Sequence, residues 1–333
     1  MLSGQSGYMT RGTRQLEQRA HPDVGGSAPA KPRRRRRFDL PLVVLAVAVA
    51  ALLLGHRLVP DIAGIGTVLD SFLPWLGLAV PVLVLLALLA RSGRGAVAVL
   101  LPALVWAVMF GPDLLPAKGG PYDLRVATQN LYAGNPQAAR TATELAATKS
   151  DLIAVEEMTD NNRTAVAQVL DPQYPYRAAI GTIGLWSRYP ILDSRPVDLG
   201  LSWTRALRAR VDTPNGEIAV YVAHLGSLRL GQSEQRDRSL NRLAAAVRQD
   251  DARRLLVVGD LNTASTDRHM SVLTDLLSDG QRAGSGLGFT WPSSFPATRI
   301  DHILYRGVTA VDAGVVRTTG SDHAAATVDF RTR

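Results

Sequence analysis

The chain has no cysteine, which excludes a disulfide, a thiolate-built zinc site and a thiol nucleophile. It also lacks the glycine-rich, lysine-bearing loop of P-loop nucleotide hydrolases and the Gly-x-Ser-x-Gly elbow of serine hydrolases. Neither of those chemistries is therefore available. No internal repeat is visible. Charge is unevenly spread: residues 1–116 hold 12 of the 37 Lys/Arg and 6 of the 29 Asp/Glu, leaving 25 and 23 for the rest. The net +8 thus belongs mainly to the front of the chain, and the C-terminal part has no bulk basic excess for gripping nucleic acid.

What the front does contain is membrane-like. Residues 1–37 are rich in Gly, Ser, Pro and Arg and close in Lys31-Pro32-Arg33-Arg34-Arg35-Arg36-Arg37, which reads as a disordered tail ending in a basic block. The block adjoins an apolar run, so a membrane-flanking role is preferred to a nucleic-acid arm. Three uncharged runs follow, Leu40–Gly55, Ser71–Ala90 and Gly95–Pro112. They predict spans over about 39–59, 71–90 and 95–112 within a membrane region 38–115. A cleaved signal peptide is disfavoured because the first run starts late and two more follow. Buried core helices are disfavoured because the runs lack a polar face. Pro74, Pro81 and Pro102 are tolerable in membrane helices. The arginine block precedes the first span, and Arg91 and Arg94 lie between the second and third. Cationic segments stay cytoplasmic, so three spans carry everything after a linker at 116–122 to the extracytoplasmic side of the cell membrane.

From residue 123 to 333 the pattern is that of a soluble α/β domain. Strands are expected at Leu124–Asn130, Leu152–Glu157, Ile183–Ser187, Ala206–Asp212, Glu217–His224, Leu255–Asp260, Arg299–Tyr305, Thr309–Val315 and Ala324–Phe330. Helices are expected at Pro136–Lys149, Asn161–Leu170, Ser233–Gln249 and Arg268–Leu277, and Asn215-Gly216 signals a hairpin. Polar residues collect where strands end: Asn130, Glu156-Glu157, His224, Gly259-Asp260-Leu261-Asn262, Ile300-Asp301-His302 and Ser321-Asp322-His323. Each has a plain alternative, such as an Asp-x-Asn turn that satisfies its own backbone or a structural histidine. Together they supply the oxygen ligands a hard cation takes and the histidines that move protons near neutral pH.

The order of these motifs resembles the endonuclease/exonuclease/phosphatase superfamily, over roughly Asp123 to Phe330. Ser187-Arg188-Tyr189-Pro190 and Gly288-Phe289-Thr290-Trp291-Pro292 resemble it as well. The resemblance implies a four-layer α/β/β/α sandwich, here preceded by three transmembrane helices, and a metal-dependent hydrolase of phosphoester bonds. It implies Mg²⁺, with Mn²⁺ the alternative, held by Glu157 with Asn130 beside it and Asp322 on the metal side. Asp260 would activate the attacking water and Asn262 would hold a phosphate oxygen. His224 would contact the phosphate or assist the leaving group, and His323 would be a second catalytic histidine oriented by Asp301. Glu156 is an alternative ligand. Strand alternation lets only one of the two glutamates face the site, and the family pattern favours Glu157. His302 is expected to pack on the opposite face, and His56 and His269 to be structural. The expected substrate is a phosphodiester of nucleic acid or of a phospholipid headgroup, the bilayer is the other expected contact, and no protein partner is evident. The reading from another class is a non-catalytic membrane protein that uses the fold for binding.

Overall fold

The computed structural model describes residues 38–117, 119–227 and 233–333. The expected tail and its arginine block lie outside the described residues. The front of the described chain is helical: α1 (Asp39–Gly55), α2 (Ile65–Ser71), α3 (Ala79–Leu89), α4 (Gly93–Ala98) and α5 (Leu100–Phe110). Asp39–Leu58 and Gly93–Leu114 are long and apolar enough to cross a membrane. The pair Ile62–Ser71 and Leu73–Leu89 is bent by 71° and makes up to one more span. The uncharged run at 71–90 therefore enters its helix only after the bend, and α2 stands apart as a short helix of its own. At one end of the bundle Ser92 caps α4, accepting from Gly95 N at 2.9 Å, and bonds the carboxylate of Asp39. Arg91 and Arg94 flank that contact. The other end, formed by His56, α2, Trp75 and Asp113, meets the C-terminal domain.

Among its described residues that domain has twelve strands: β1 (Leu124–Asn130), β2 (Leu152–Glu156), β3 (Tyr176–Ile180), β4 (Ile183–Ser187), β5 (Ile191–Pro196), β6 (Ala206–Thr213), β7 (Gly216–Ala223), β8 (Leu255–Asp260), β9 (Ser278–Asp279), β10 (Asp301–Arg306), β11 (Thr309–Val316) and β12 (Ala325–Arg331). They form two six-stranded sheets, ordered β11-β12-β1-β2-β4-β3 and β5-β6-β7-β8-β10-β9. Helices α6 (Ala138–Ala147) and α7 (Asp160–Leu170) cover the first sheet, and α8 (Glu234–Gln249) covers the second. The expected helix over 268–277 is realised only as a 3₁₀ turn, Arg268–Met270, and one turn of α-helix, Ser271–Thr274.

Strand alternation explains the layering. In β8 every residue is buried. Leu256 and Val258 enter the core between the sheets, while Leu255 and Val257 pack under α8. That is why the run is apolar throughout rather than alternating. Residues Leu240, Leu243, Ala244 and Val247 form the facing stripe of α8, at the spacing of one helical face. Truncating Leu256 to alanine inside this core costs about 2–5 kcal/mol.

Candidate active site

The parallel pairs β1–β2 and β7–β8 end where their antiparallel neighbours β12 and β10 begin. Residues far apart in sequence therefore meet at one edge of the sandwich. Asn130 ends β1, His224 follows β7, Asp260 ends β8, Asp301 opens β10 as the register partner of Asp260, and His323 lies just before β12. A close approach of strands demands the glycine before Asp260. Gly259 has φ 133°, and a Cβ there would meet the Ala223 carbonyl oxygen at 2.0 Å.

Asp260 is the hub. Its Oδ2 accepts from Asn130 Nδ2 at 2.9 Å and lies 3.6 Å from His224 Nε2 and 3.9 Å from His323 Nε2. Its Oδ1 accepts from Asn262 N at 2.8 Å. The strand stops here and Asn262 takes φ 46°, so the pair is joined by the Asp-x-Asn turn and not by continued strand period. The turn reading and the site reading hold together. Burial raises Asp260 to about 7, against the pull of His323 and with the push of Asp301.

Glu157 Oε2 accepts from Ala133 N at 2.9 Å, its Oε1 accepts from Asn130 Nδ2 at 3.2 Å, and His224 Nε2 lies 3.5 Å from Oε1. Both glutamates reach this edge, which corrects the expectation that only one does. Glu156 is the last strand residue and points between the sheets, bonded by Thr128 Oγ1 at 2.9 Å. Glu157 takes φ 57°, and that turn cancels the alternation. Glu156 is fully buried with Oε2 unpartnered; burial, then Asp301, raises its pKa well above the ordinary value.

His323 Nδ1 bonds both Asp301 oxygens, at 2.9 and 3.2 Å. Burial alone would lower the imidazole; Asp301 outweighs it, and His323 rises to about 10. Ser321 fixes the segment: its Oγ donates to Asn130 O at 2.6 Å and accepts from His323 N at 3.0 Å. Asp322 is exposed, and its side chain has no hydrogen bond among the described residues. Its backbone oxygen instead accepts from Ser293 N at 2.6 Å. The metal-side placement expected for Asp322 is thus not met by any contact of its carboxylate. His302 is buried against the Thr263 carbonyl at 2.8 Å, away from the group. His269 pairs with Asp267 at 3.0 Å, and His56 with Asp70 at 2.7 Å.

Arg205 was visible in sequence only as one of several arginines. It precedes β6, its Nη2 lies against both ring nitrogens of His224, and its guanidinium lies over the Trp203 ring at 5.7 Å. Burial lowers its pKa against the attraction of Asp260 and Glu157, and burial with the Arg205 charge lowers His224 well below its ordinary value. A neutral His224 is the acceptor this contact needs.

The donor set fits a hard cation. Asp260, Asp301 and His323 offer ligand atoms within 4.8 Å of one another. Asp301 accepts at His323 Nδ1, which orients the ring and turns Nε2 towards Asp260 at 3.9 Å. The carboxylates of Glu157 and Asp260 lie close by, bridged by the amide nitrogen of Asn130. Asn130 Oδ1 is taken by Tyr132 N at 2.9 Å, so Asn130 turns its donor, not its oxygen, towards these carboxylates.

A model of the endonuclease/exonuclease/phosphatase family matches residues 127–323. No curated protein matches the chain. Among solved structures, a family member from Bacteroides thetaiotaomicron aligns with TM-score 0.55 at 16% identity, covering 62% of this chain and 97% of its own. The mannosyl-6-phosphatase Bt3783 of the same organism gives 0.54 at 16%, covering 62% and 99%. TDP2 of D. rerio complexed with single-strand DNA product gives 0.53 at 17%, covering 63% and 99%. At these identities the structures establish the shared sandwich, and the family model establishes the family. The chain belongs to the endonuclease/exonuclease/phosphatase family of metal-dependent phosphoester hydrolases, with a set of apolar helices added in front of the shared fold.

Proposed function

We propose that this chain is a Mg²⁺-dependent phosphodiesterase held on the outer face of the cell membrane by three spans. The observation that carries the chemistry is the convergence of Glu157, Asp260, Asn130, His224 and the His323–Asp301 pair at one sandwich edge. Glu157 would hold the cation, which when bound neutralises phosphoryl charge and acts as a Lewis acid. Asp260, raised by burial, takes the proton of the attacking water. Asn262, with neutral His224 and Arg205, faces the phosphoryl oxygens as fixed donors. His323, kept protonated by Asp301, donates to the leaving oxygen.

The sidedness rests on the bundle itself. Arg91 and Arg94 sit beside the Asp39–Ser92 contact, and every described contact with the catalytic domain comes from the opposite end. Cationic loops stay inside. For a topology test, cysteines replacing Gly93 and Pro121, both exposed, start without native thiol background. Pro121→Cys should react with an impermeant thiol reagent in intact cells and Gly93→Cys should not; the reverse moves the enzyme to the cytosolic side. For activity, the full chain with Mg²⁺ is assayed on bis(p-nitrophenyl) phosphate, DNA, RNA and sphingomyelin vesicles. Hydrolysis of none of them would sink the phosphodiesterase reading, while DNA or vesicle turnover alone assigns nucleic acid or headgroup as substrate.

A further inference from the structure

We infer that the helical segment 65–75 is a working part of the active site, and that Trp75 and Asp70 are positioning residues for the two loops that carry the catalytic groups. The inference deepens the proposed function. It starts from where that segment touches the domain.

The first loop follows Asp260 and Asn262. Asp70, at the end of α2 and fully buried, bonds Arg268 through Nε at 2.6 Å and through the backbone N at 3.1 Å. Its own carbonyl accepts from Thr266 Oγ1 at 2.5 Å. Arg268 also donates to the Val59 carbonyl at 2.5 Å and the His56 carbonyl at 3.1 Å, and His56 Nδ1 closes the cluster on Asp70. Gly66 is the cradle for this guanidinium: a Cβ there would lie 2.7 Å from Arg268 Nη2. A buried pair with so many fixed donors holds its loop at a defined position, since breaking it leaves a charge uncompensated.

The second loop, 288–298, leads into Asp301. Trp75 Nε1 donates to the Ala297 carbonyl at 2.7 Å, and its ring packs on Phe289 and Phe295 at centroid distances of 5.9 and 5.7 Å. The far side of the same loop carries the catalytic segment. Ser293 N donates to Asp322 O at 2.6 Å, Ser293 Oγ to Ser321 O at 2.7 Å, and Ala324 N to Thr290 O at 2.8 Å. Thr290 Oγ1 lies 3.4 Å from the backbone N of Asp301. The loop is therefore a spacer of fixed thickness between Trp75 and the His323–Asp301 pair. One short stretch of the membrane region thus supports both catalytic loops.

The solved relatives are matched over 97–99% of their own length by 62–63% of this chain, so they share the sandwich without these helices. In this chain the support of the loops is shared out to the helices. Catalytic groups tolerate little misplacement, about 1 Å costing on the order of 10²-fold in rate.

The test uses the full chain in detergent micelles with bis(p-nitrophenyl) phosphate and Mg²⁺, alongside amide hydrogen exchange. Trp75→Ala is expected to lower kcat by roughly 10–100-fold with little change in KM, and to speed exchange at Ser293 and Ala324 but not in the β1–β2 ladder. Trp75→Phe keeps the ring and loses the N–H, so it should lose only about two- to tenfold, the worth of one hydrogen bond. Wild-type kcat in Trp75→Ala overturns the inference and leaves the helices as an anchor. If Trp75→Ala unfolds the domain, seen as lost protection in the β1–β12 ladder, Trp75→Phe decides: unchanged kcat and unchanged exchange at Ser293 overturn it. The exchange measurement needs no substrate, so an inactive parent chain would sink the phosphodiesterase reading and still leave the coupling measurable.

Discussion

Asp301→Asn isolates what the buried aspartate does for His323. The substitution keeps the shape of a side chain that is fully buried at the start of β10, so the fold should hold. What changes is the charge 2.9 Å from Nδ1. Burial works against the imidazolium, and Asp301 overrides it to carry the group from 6.5 to about 10. That net displacement corresponds to roughly 5 kcal/mol of preference for the protonated form, left after burial has been overcome by Asp301 together with Asp260 and Asp322. The sign follows directly. In the parent, His323 stays protonated from acid up to near pH 10; in the variant, only Asp260 and Asp322 still oppose burial, and the proton leaves at a much lower pH. If His323 is the acid for the leaving group, kcat at pH 8 should fall by about 10²–10⁴-fold. The deficit should shrink below roughly pH 6 as the imidazole regains its proton. The assay is kcat against pH for variant and parent on the same phosphodiester, the parent profile cancelling effects common to both. A deficit independent of pH, or one confined to KM, would refute the reasoning and make Asp301 a metal or packing residue.

Glu157→Gln should raise the Mg²⁺ concentration needed for half-maximal rate by on the order of 10–100-fold or more, with excess metal restoring part of the activity; an unchanged metal requirement would move the seat to Glu156. Asp250→Asn should destabilise the domain by about 1.5–3 kcal/mol, because it removes the charged acceptor of Arg208 and leaves it only Asp193 at 3.9 Å, and a thermal melt reads this directly. Burial opposes the Asp250 charge, but Arg208, Tyr221 and the Ala252 amide hold its pKa below the ordinary carboxylate value. Its contribution is therefore present above about pH 4 and lost as pH falls further, and the variant should lack that acid-side loss. DNA binding by an Asp260→Asn chain should weaken only shallowly with salt; a log–log slope of about −5 or steeper would mark a protein that tracks a nucleic-acid backbone.

How far the sequence discloses this protein depends on where its information is local. The run Leu255–Val258 announces a strand buried on both faces because both of its layers are apolar. The α8 stripe announces itself by its period. Edge strands β3 and β5 carry no such signal: β5 is exposed at five of six positions and ends in Pro196, as an edge strand can. The helix expected over 268–277 is capped by Asp267 but reaches only Thr274, and its first residue is tied to the front of the chain. Asp267 caps the turn by accepting from His269 N at 2.8 Å, and Arg268 is drawn to Asp70. That partner is 198 residues away, and no window of local sequence contains it. The glutamate pair shows the same limit. Alternation is a sound rule inside a strand, and the positive φ of Glu157 takes effect one residue past its end. Arg205 is illegible for a related reason: its meaning comes from His224, which faces it across the β6–β7 pair.

The arginines of β6 bear on what the proposed enzyme would accept. Arg208 and Arg210 share a face, as an exposed basic stripe would, yet neither is free. Arg208 is spent on Asp250, and Arg210 on Asp193 and Glu217. Arg205 turns into the site beside His224. A polyanion lying along this strand would meet paired charges, and the remaining cation addresses one phosphoryl group rather than a row of them. Exposed aromatics mark out the surroundings of the site: Tyr132 just past Asn130, Trp203 under Arg205, and Phe295 on the loop that leans against Trp75. Aromatic side chains of this kind suit a surface where water meets lipid. Phe295 in particular sits on the loop that joins the end of the helix bundle to the catalytic histidine. On the proposed phosphodiesterase reading, these contacts favour a phosphodiester with a single charged group and an apolar body over a long nucleic acid.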